Sequence, residues 1–321
     1  MQVAGIDISK RKFDIALMAG EKVRNKVFDN TAAGHQALLA WLVSKGVQPG
    51  QCHIAMEATS QYYEAVAETL YAAGYAVSVV NPLQIKAFGE SLLRRQKTDR
   101  ADAELIARYC QQAKPALWQP PPADIKELQR LLARLEAVQQ MHVQEQNRHH
   151  EASGKALQSV ERMLATLKAE ERLLEQMIRE HIDRHPDLRD RQTLLQSIPG
   201  VGERVSSYYL AWLQAERFAD ARQAVAFVGL SPRHRESGDT VRGKTRLSKL
   251  GHGRLRKVLY MPALSALRSN PAAKALAERL EASGKRGKVI VAAVMRKMIH
   301  WMVGVLKSGK PFDPQRALAR T

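Results

Sequence analysis

Four acidic residues stand where a carboxylate has a chemical use. Asp7 lies between Ile6 and Ile8, Glu57 closes a second apolar run, and Asp99 and Asp102 are three apart in Lys97-Thr-Asp-Arg-Ala-Asp102. On a helix, a spacing of three puts both carboxylates on one face. A bare charge inside an apolar strand is costly to bury, and a divalent cation offsets that cost. Hard Mg²⁺ prefers carboxylate oxygens, with Mn²⁺ as a substitute, and such ions serve phosphodiester transfer by activating the attacking oxygen and stabilising the leaving one. Any one of these residues alone reads more readily as a cap or salt-bridge partner. Four in these places together point to a metal site.

Ser237 is the second candidate, in Arg233-His-Arg-Glu-Ser-Gly-Asp239. A serine before a glycine is commonly a turn residue. As a nucleophile it needs activation and charge stabilisation, which Arg235, Arg242 or a metal would supply. The same segment also reads as a plain DNA-backbone clamp. Residues 233–257 hold nine basic side chains (Arg233, Arg235, Arg242, Lys244, Arg246, Lys249, Arg254, Arg256 and Lys257) against Glu236 and Asp239, a density suited to phosphate. Lys97 and Arg100, beside the paired aspartates, join them as nucleic-acid candidates. So do Gly200 and Gly202 in Ile198-Pro-Gly-Val-Gly202, which resembles the hairpin of helix-hairpin-helix modules, where backbone N–H groups approach a phosphate. A tight turn between packed helices explains those glycines equally well. His142, His149 and His150 read as surface residues, and Met261, Met295, Met298 and Met302 as fillers of core gaps.

The chain has 321 residues and a formal charge of +18. Lys and Arg against Asp and Glu number 14 to 11 over residues 1–118, 10 to 11 over 119–185, and 26 to 10 over 186–321, so the excess is C-terminal. A polyanion is therefore expected to contact the last third. Cys52 and Cys110, far apart and in no ligand-like spacing, read as buried hydrophobes in a reducing compartment. Neither a long uncharged apolar run nor an export leader is evident, so the expectation is a soluble, cytoplasmic, nucleoid-associated protein with no membrane partner.

The elements that must position the carboxylates follow from periodicity. Three alternating runs, residues 3–8, 13–18 and 23–28, predict a meander. Helix, strand, helix and strand follow over 33–44, 53–56, 62–73 and 76–80. This β-β-β-α-β-α-β order is that of a ribonuclease H-like mixed sheet flanked by helices. Pro120, Pro121 and Pro122 mark a boundary. Residues 125–181 predict two long helices, with Val160, Leu164, Leu167, Leu174 and Ile178 in coiled-coil spacing and Glu171 interrupting. The expected organisation is an α/β metal-binding domain over 1–118, a helical coiled-coil connector over 119–185, and a mainly α-helical C-terminal domain over 186–321.

Seven strings taken in order carry a family resemblance: Gly5-Ile-Asp-Ile-Ser-Lys10, Met56-Glu-Ala-Thr59, Val80-Asn-Pro82, Lys97-Thr-Asp-Arg-Ala-Asp102, Ser197-Ile-Pro-Gly-Val-Gly202, Phe227-Val-Gly-Leu-Ser-Pro-Arg233 and Glu236-Ser-Gly238. Nearly end to end, the chain resembles the DEDD-type insertion-sequence transposases, the bridge-RNA-guided recombinases, which are related to Piv-type DNA invertases. The resemblance implies a RuvC-like first domain whose Mg²⁺-binding tetrad is Asp7, Glu57, Asp99 and Asp102. It implies that Ser237 attacks the scissile phosphate and forms a phosphoserine link. It also implies donor and target double-stranded DNA and an element-encoded noncoding bridge RNA as partners. The active site would be shared within a dimer or tetramer. Ser60 stands where a glycine is common, which touches loop geometry but no tetrad position.

Three other readings compete. A RuvC-like nuclease or junction resolvase would cleave with water and form no covalent intermediate. A site-specific invertase would recombine DNA without transposing. A non-catalytic binding protein would leave Asp7, within an apolar strand, unexplained. With 6% aromatic residues, extensive base stacking on the protein is not expected.

Overall fold

A computed structural model describes residues 2–20, 22–58, 60–93, 98–237 and 241–318, with the backbone alone for 234–237 and 241–245. The chain divides into two compact units, Met1–Pro121 and Pro122–Thr321.

The first unit begins with β1 (Gln2–Ile8), β2 (Lys12–Ala19) and β3 (Lys22–Asp29), the expected meander. There follow α1 (Ala32–Ser44), β4 (Cys52–Glu57), α2 (Glu64–Ala72), β5 (Ala76–Val80), α3 (Pro82–Ser91) and α4 (Asp99–Ala113). The sheet order is β3-β2-β1-β4-β5, antiparallel across the meander and parallel between β1, β4 and β5. Caps fix the helix starts: the Thr31 hydroxyl accepts the Gly34 N–H at 3.2 Å, and Asn81 Oδ1 accepts that of Leu83 at 2.9 Å with Pro82 in the first turn. This mixed α/β unit is compatible with a ribonuclease H-like domain.

Alternation along the strands sorts side chains between two faces. Ala4, Ile6 and Ile8 of β1 join Phe13, Ile15, Leu38, Leu42, Ile54 and Val66 in one core. Val3 and Ala55 pack on the other face with Ile85, Leu105, Ile106 and Cys110, so α3 and α4 cover that side. The closest approach is at Gly5, where an added Cβ would stand 2.2 Å from both the Ala103 carbonyl oxygen and the Ala107 nitrogen. The absence of a side chain at this position lets the backbone of α4 lie directly on β1.

The second unit contains α5 (Ala123–His149), α6 (Gly154–Arg184), α7 (Pro186–Gln196), α8 (Glu203–Trp212), a 3₁₀ turn (Ala215–Arg217), α9 (Ala221–Val228), β6 (Pro232–Ser237), β7 (Val241–Leu247), α10 (Gly253–Ser269), α11 (Pro271–Ala282), α12 (Lys288–Ser308) and α13 (Pro314–Leu318). Leu167, Leu174 and Ile178 of the expected seam are buried and share one core with α7 to α12. Glu171, which breaks the apolar pattern, accepts a hydrogen bond from His142 Nδ1 at 2.7 Å across the α5–α6 hairpin. His142 is thus a partner within the hairpin rather than a free surface residue. Among the described residues α12 alone is long and apolar enough to cross a membrane, and its Val294, Met295, Met298, Ile299 and Met302 are core residues. Met261 departs from its expected place as a core filler, since 67% of its surface is exposed.

The β6–β7 hairpin is the main departure from a helix-and-loop reading of the last third. The β-branched Val241 and Thr245 alternate with basic residues, and density of charge hid a strand pattern that the intervening Gly238 and Asp239 should have signalled.

Replacing Gly5 by alanine should force α4 off the sheet. Overpacking of this kind costs about 3 kcal/mol or more where the obstructing atoms are backbone. Urea unfolding of Gly5→Ala measures it; a variant as stable as the parent would show that α4 does not rest on β1 in this way.

Candidate active site

On β1 the face that carries Val3 and Gly5 also carries Asp7, by the two-residue period of a strand. Asp7 pairs across β1–β2 with Asp14, and on the other side Glu57 ends β4 one residue beyond Met56, the partner of Ile6. From above, α4 begins with Asp99 and Asp102 in its first turn, and the Thr98 hydroxyl caps it by accepting the Ala101 N–H at 3.2 Å. The helix N-terminus favours negative charge there.

These residues act on one another electrostatically. The Asp7 carboxyl is pushed up from 3.8 to about 6, first by burial and then by the negative charges of Asp102, Asp99, Glu57 and Asp14. The other three carboxylates singled out in the sequence thus each act on Asp7 electrostatically, and Asp14 joins them. Burial is also the first cause raising Asp14, with Lys12 opposing it. Lys12 enters the patch as its local cation, with Nζ 2.9 Å from Asp99 Oδ2 and 3.8 Å from Asp14 Oδ2. Asp14 and Lys12 were missed in the sequence. Their signal was the strand pairing: a residue facing Asp7 across a short antiparallel turn occupies the same face.

Among the described residues no three His, Cys, Asp or Glu side chains converge closely enough to hold a metal. The donor set nevertheless fits a hard divalent cation in its chemistry, because it offers oxygen ligands only and leaves a half-buried aspartate surrounded by like charge. Cys52 and Cys110 contribute no ligand here; both are buried, and burial pushes both thiols up to about 12.

The basic candidates have several fates. Lys97 lies outside the described residues, as do the side chains of Arg235, Ser237, Arg242 and Lys244. By backbone, Ser237 is the last residue of β6, paired with Val241, and Arg235 faces Gly243. Arg233 and Arg246 are cross-strand partners and exposed, and Lys249 and Lys257 are exposed as well. Arg254 and Arg256 already have structural partners: Arg254 meets Glu136 at 2.8 Å and lies over the Trp212 ring, and Arg256 donates to the Val228 carbonyl at 2.9 Å. Arg100 pairs with Glu104 one turn on. Gly200 has φ +96 and packs on Pro262 and Ala266, whereas the Cβ position at Gly202, the cap of α8, is open.

An acidic patch on a mixed sheet compatible with a ribonuclease H-like domain, together with a basic second unit, is the pattern of an enzyme that acts on nucleic acid. A transposase family model of the IS110 DEDD type matches residues 4–160, and one described as "Transposase IS116/IS110/IS902 family" matches residues 192–278. The pilin gene-inverting proteins of Moraxella bovis and Moraxella lacunata are 32% and 31% identical over 311 residues, covering 96% of this chain and 97% of theirs. The insertion element IS110 uncharacterized 43.6 kDa protein of Streptomyces coelicolor is 24% identical over 151 residues, 47% of this chain and 36% of its own. The chain belongs to the DEDD transposases and DNA invertases of the IS110 family, and it is an enzyme acting on DNA.

Asp7 binds its proton more tightly in the folded protein, near pH 6, than at its ordinary 3.8. Ionisation of this residue therefore opposes folding: the cost is absent below about pH 4, grows between the two values and is complete above about 6, and solvent screening of this half-buried group keeps it to about 1–2 kcal/mol. In chelator, Asp7→Asn should flatten that pH dependence and be more stable than the parent at neutral pH. Parallel stability curves for the two proteins would refute the burial argument.

Proposed function

We propose that the protein is the recombinase of a bacterial insertion sequence, joining DNA strands through Ser237 with help from divalent metal held by Asp7, Glu57, Asp99 and Asp102. The observation that supports this best is the half-buried Asp7, whose carboxyl is raised by burial and by the charges of the other three carboxylates, at the start of α4 and the end of β4. Bound Mg²⁺, or Mn²⁺ in its place, would polarise the scissile phosphate and neutralise charge that develops on it. The first unit acts as a RuvC-like metal domain and the second as the transposase domain that handles DNA. The α5–α6 hairpin serves as the coiled-coil connector.

In the covalent step the Ser237 hydroxyl loses its proton and its oxygen bonds to phosphorus, while the bond from phosphorus to a deoxyribose oxygen breaks and that oxygen leaves as a hydroxyl. The phosphodiester energy is retained for rejoining to a second strand. Arginines of the β6–β7 hairpin stabilise the charge on phosphorus. Because the carboxylates belong to the first unit and the serine to the second, the reaction requires the two to meet, within one chain or between protomers of a dimer or tetramer. An element-encoded RNA pairs with donor and target DNA and supplies the sequence choice that a surface of lysines and arginines lacks. A second reading, site-specific inversion by the same chemistry without a guide, is favoured by the near full-length match to the pilin gene-inverting proteins.

Purified protein, Mg²⁺, labelled donor and target DNA, with and without the element's RNA, are expected to give a covalent protein–DNA adduct on denaturing gels. The adduct should be lost in Ser237→Ala and in Asp102→Ala, the rate falling by about 10³-fold or more for removal of a nucleophile or a metal ligand. Cleavage that survives Ser237→Ala would establish a hydrolytic nuclease instead, and an adduct indifferent to RNA would favour the invertase reading.

A further inference from the structure

The end of the second unit builds a cleft that this chemistry does not use. After Gly309 the chain turns back, and the Phe312 N–H donates to Ser197 Oγ at 2.8 Å, so that α13 closes one side of a cavity of about 530 Å³ between α9, α12 and α13. That volume is within the roughly 300–1,000 Å³ of small-ligand sites. Residues 288–318 lie outside both segments matched by the transposase family models.

The lining has an aromatic part and a cationic part. Trp301 and Phe312 meet edge to face at 5.2 Å. Lys297, Lys310 and Arg316 supply positive charge, with Asp313 the single acid among the described lining residues. The Asp313 carboxylate is already occupied in capping α13, accepting N–H bonds from Gln315 at 2.9 Å and Arg316 at 3.2 Å. His300, also in the lining, is held below its ordinary value by burial first and then by Arg296, Lys297 and Arg222, as expected in a positive field.

Two features have no account in the fold. The Trp301 indole N–H is buried and has no hydrogen-bond partner among the described residues. Gly304 sits inside α12, where a glycine costs about 1 kcal/mol relative to alanine. Its φ is not positive, and no atom lies within 4 Å of where its Cβ would stand. Neither a turn nor close packing requires a glycine there. Gly304 lies exposed in the lining, with open space where a side chain would stand.

We propose that this cleft is a nucleotide pocket that receives one unpaired nucleotide of a nucleic-acid strand, its phosphate at Lys310 and Arg316 and its base on the partly exposed Phe312 ring, which the buried Trp301 backs. A simple anion site would need the cations and not the aromatic wall. A paired base would have to leave its stack to enter, so the site selects single-stranded or extruded nucleotides. The inference rests on the chain being an enzyme of nucleic acid, and not on the serine or RNA-guide readings.

The test measures the affinity of the full-length protein for a short oligothymidylate, the matching oligouridylate and a blunt DNA duplex, with inorganic phosphate as competitor and thermal melting as the control of fold. Gly304→Ala should bind as the parent does and melt no lower. Gly304→Phe, which adds a ring at the lining, should lose about tenfold in single-strand affinity, the scale of one stacked base, with duplex affinity unchanged. The exposed pair Lys310→Ala/Arg316→Ala keeps the test valid should Gly304→Phe fail to fold. It should lower the salt slope of single-strand binding by about 0.7, the share of one phosphate. The stronger ligand among the two oligonucleotides identifies the source as DNA or RNA. The proposal is overturned if a folded Gly304→Phe, or the Lys310/Arg316 variant, binds single strands as tightly as the parent. Phosphate alone displacing the strand as well as a nucleotide does would reduce the cleft to an anion site and equally overturn it.

Discussion

Much of the first unit depends on how closely α4 lies on β1. Gly5 offers no Cβ, and the Ala103 and Ala107 backbone atoms fill the space it would have taken. Ala16 of β2 continues the same flat surface, packing with Ala103 and Ala107. A helix set this low brings its first turn down to the level of the strand end, so Asp99 and Asp102 share a region with Asp7. With a larger residue at position 5 the helix would have to stand off, and the carboxylates would no longer share one electrostatic environment. The glycine in Gly5-Ile-Asp7 is therefore a positioning element for an acid two residues away.

The electrostatics built on that contact work against the fold when no cation is bound. Burial and four neighbouring carboxylates hold the Asp7 proton up to about pH 6. Natural folds rarely keep such an arrangement without a compensating ligand. Among the described residues Lys12 supplies a cation, but this ammonium is bound to Asp99 and Asp14 and is half exposed. It relieves the rim more than Asp7 itself, whose raised value persists with Lys12 in place. The remaining imbalance is what a divalent ion would satisfy.

The legible part of the structure was the part governed by short-range periodicity. Strand alternation placed β1 to β5, the Asp99–Asp102 spacing put both acids on one helix face, and the apolar runs placed the two long helices. Lys12 and Asp14 escaped because their role follows from strand pairing, which joins residues across a turn and leaves no mark in either strand alone. Met261 escaped because methionine composition does not tell which side of α10 faces the core. Glu171 looked like a flaw in the seam until His142 appeared opposite it on α5.

The basic third shows why counting charge overstates a binding surface. Arg254 and Arg256 lie in the densest basic stretch, yet both are engaged inside the unit, Arg254 with Glu136 and Trp212 and Arg256 with the Val228 carbonyl. Around them the foot of the β6–β7 hairpin is pinned by backbone bonds from Ser248 to Ser231 at 2.9 Å and from His252 to Phe227 at 2.7 Å. Gly251, at φ +145, passes so close to the Phe227 carbonyl that a Cβ would stand 2.3 Å from it. His252, between Trp212 and Phe227, is pushed down to about 4 by burial and by the two arginines, so it stays neutral and its Nδ1 accepts the Leu255 N–H that caps α10. These charges fix the base from which the hairpin projects. A rigid foot of this kind limits the directions in which the hairpin can carry Ser237.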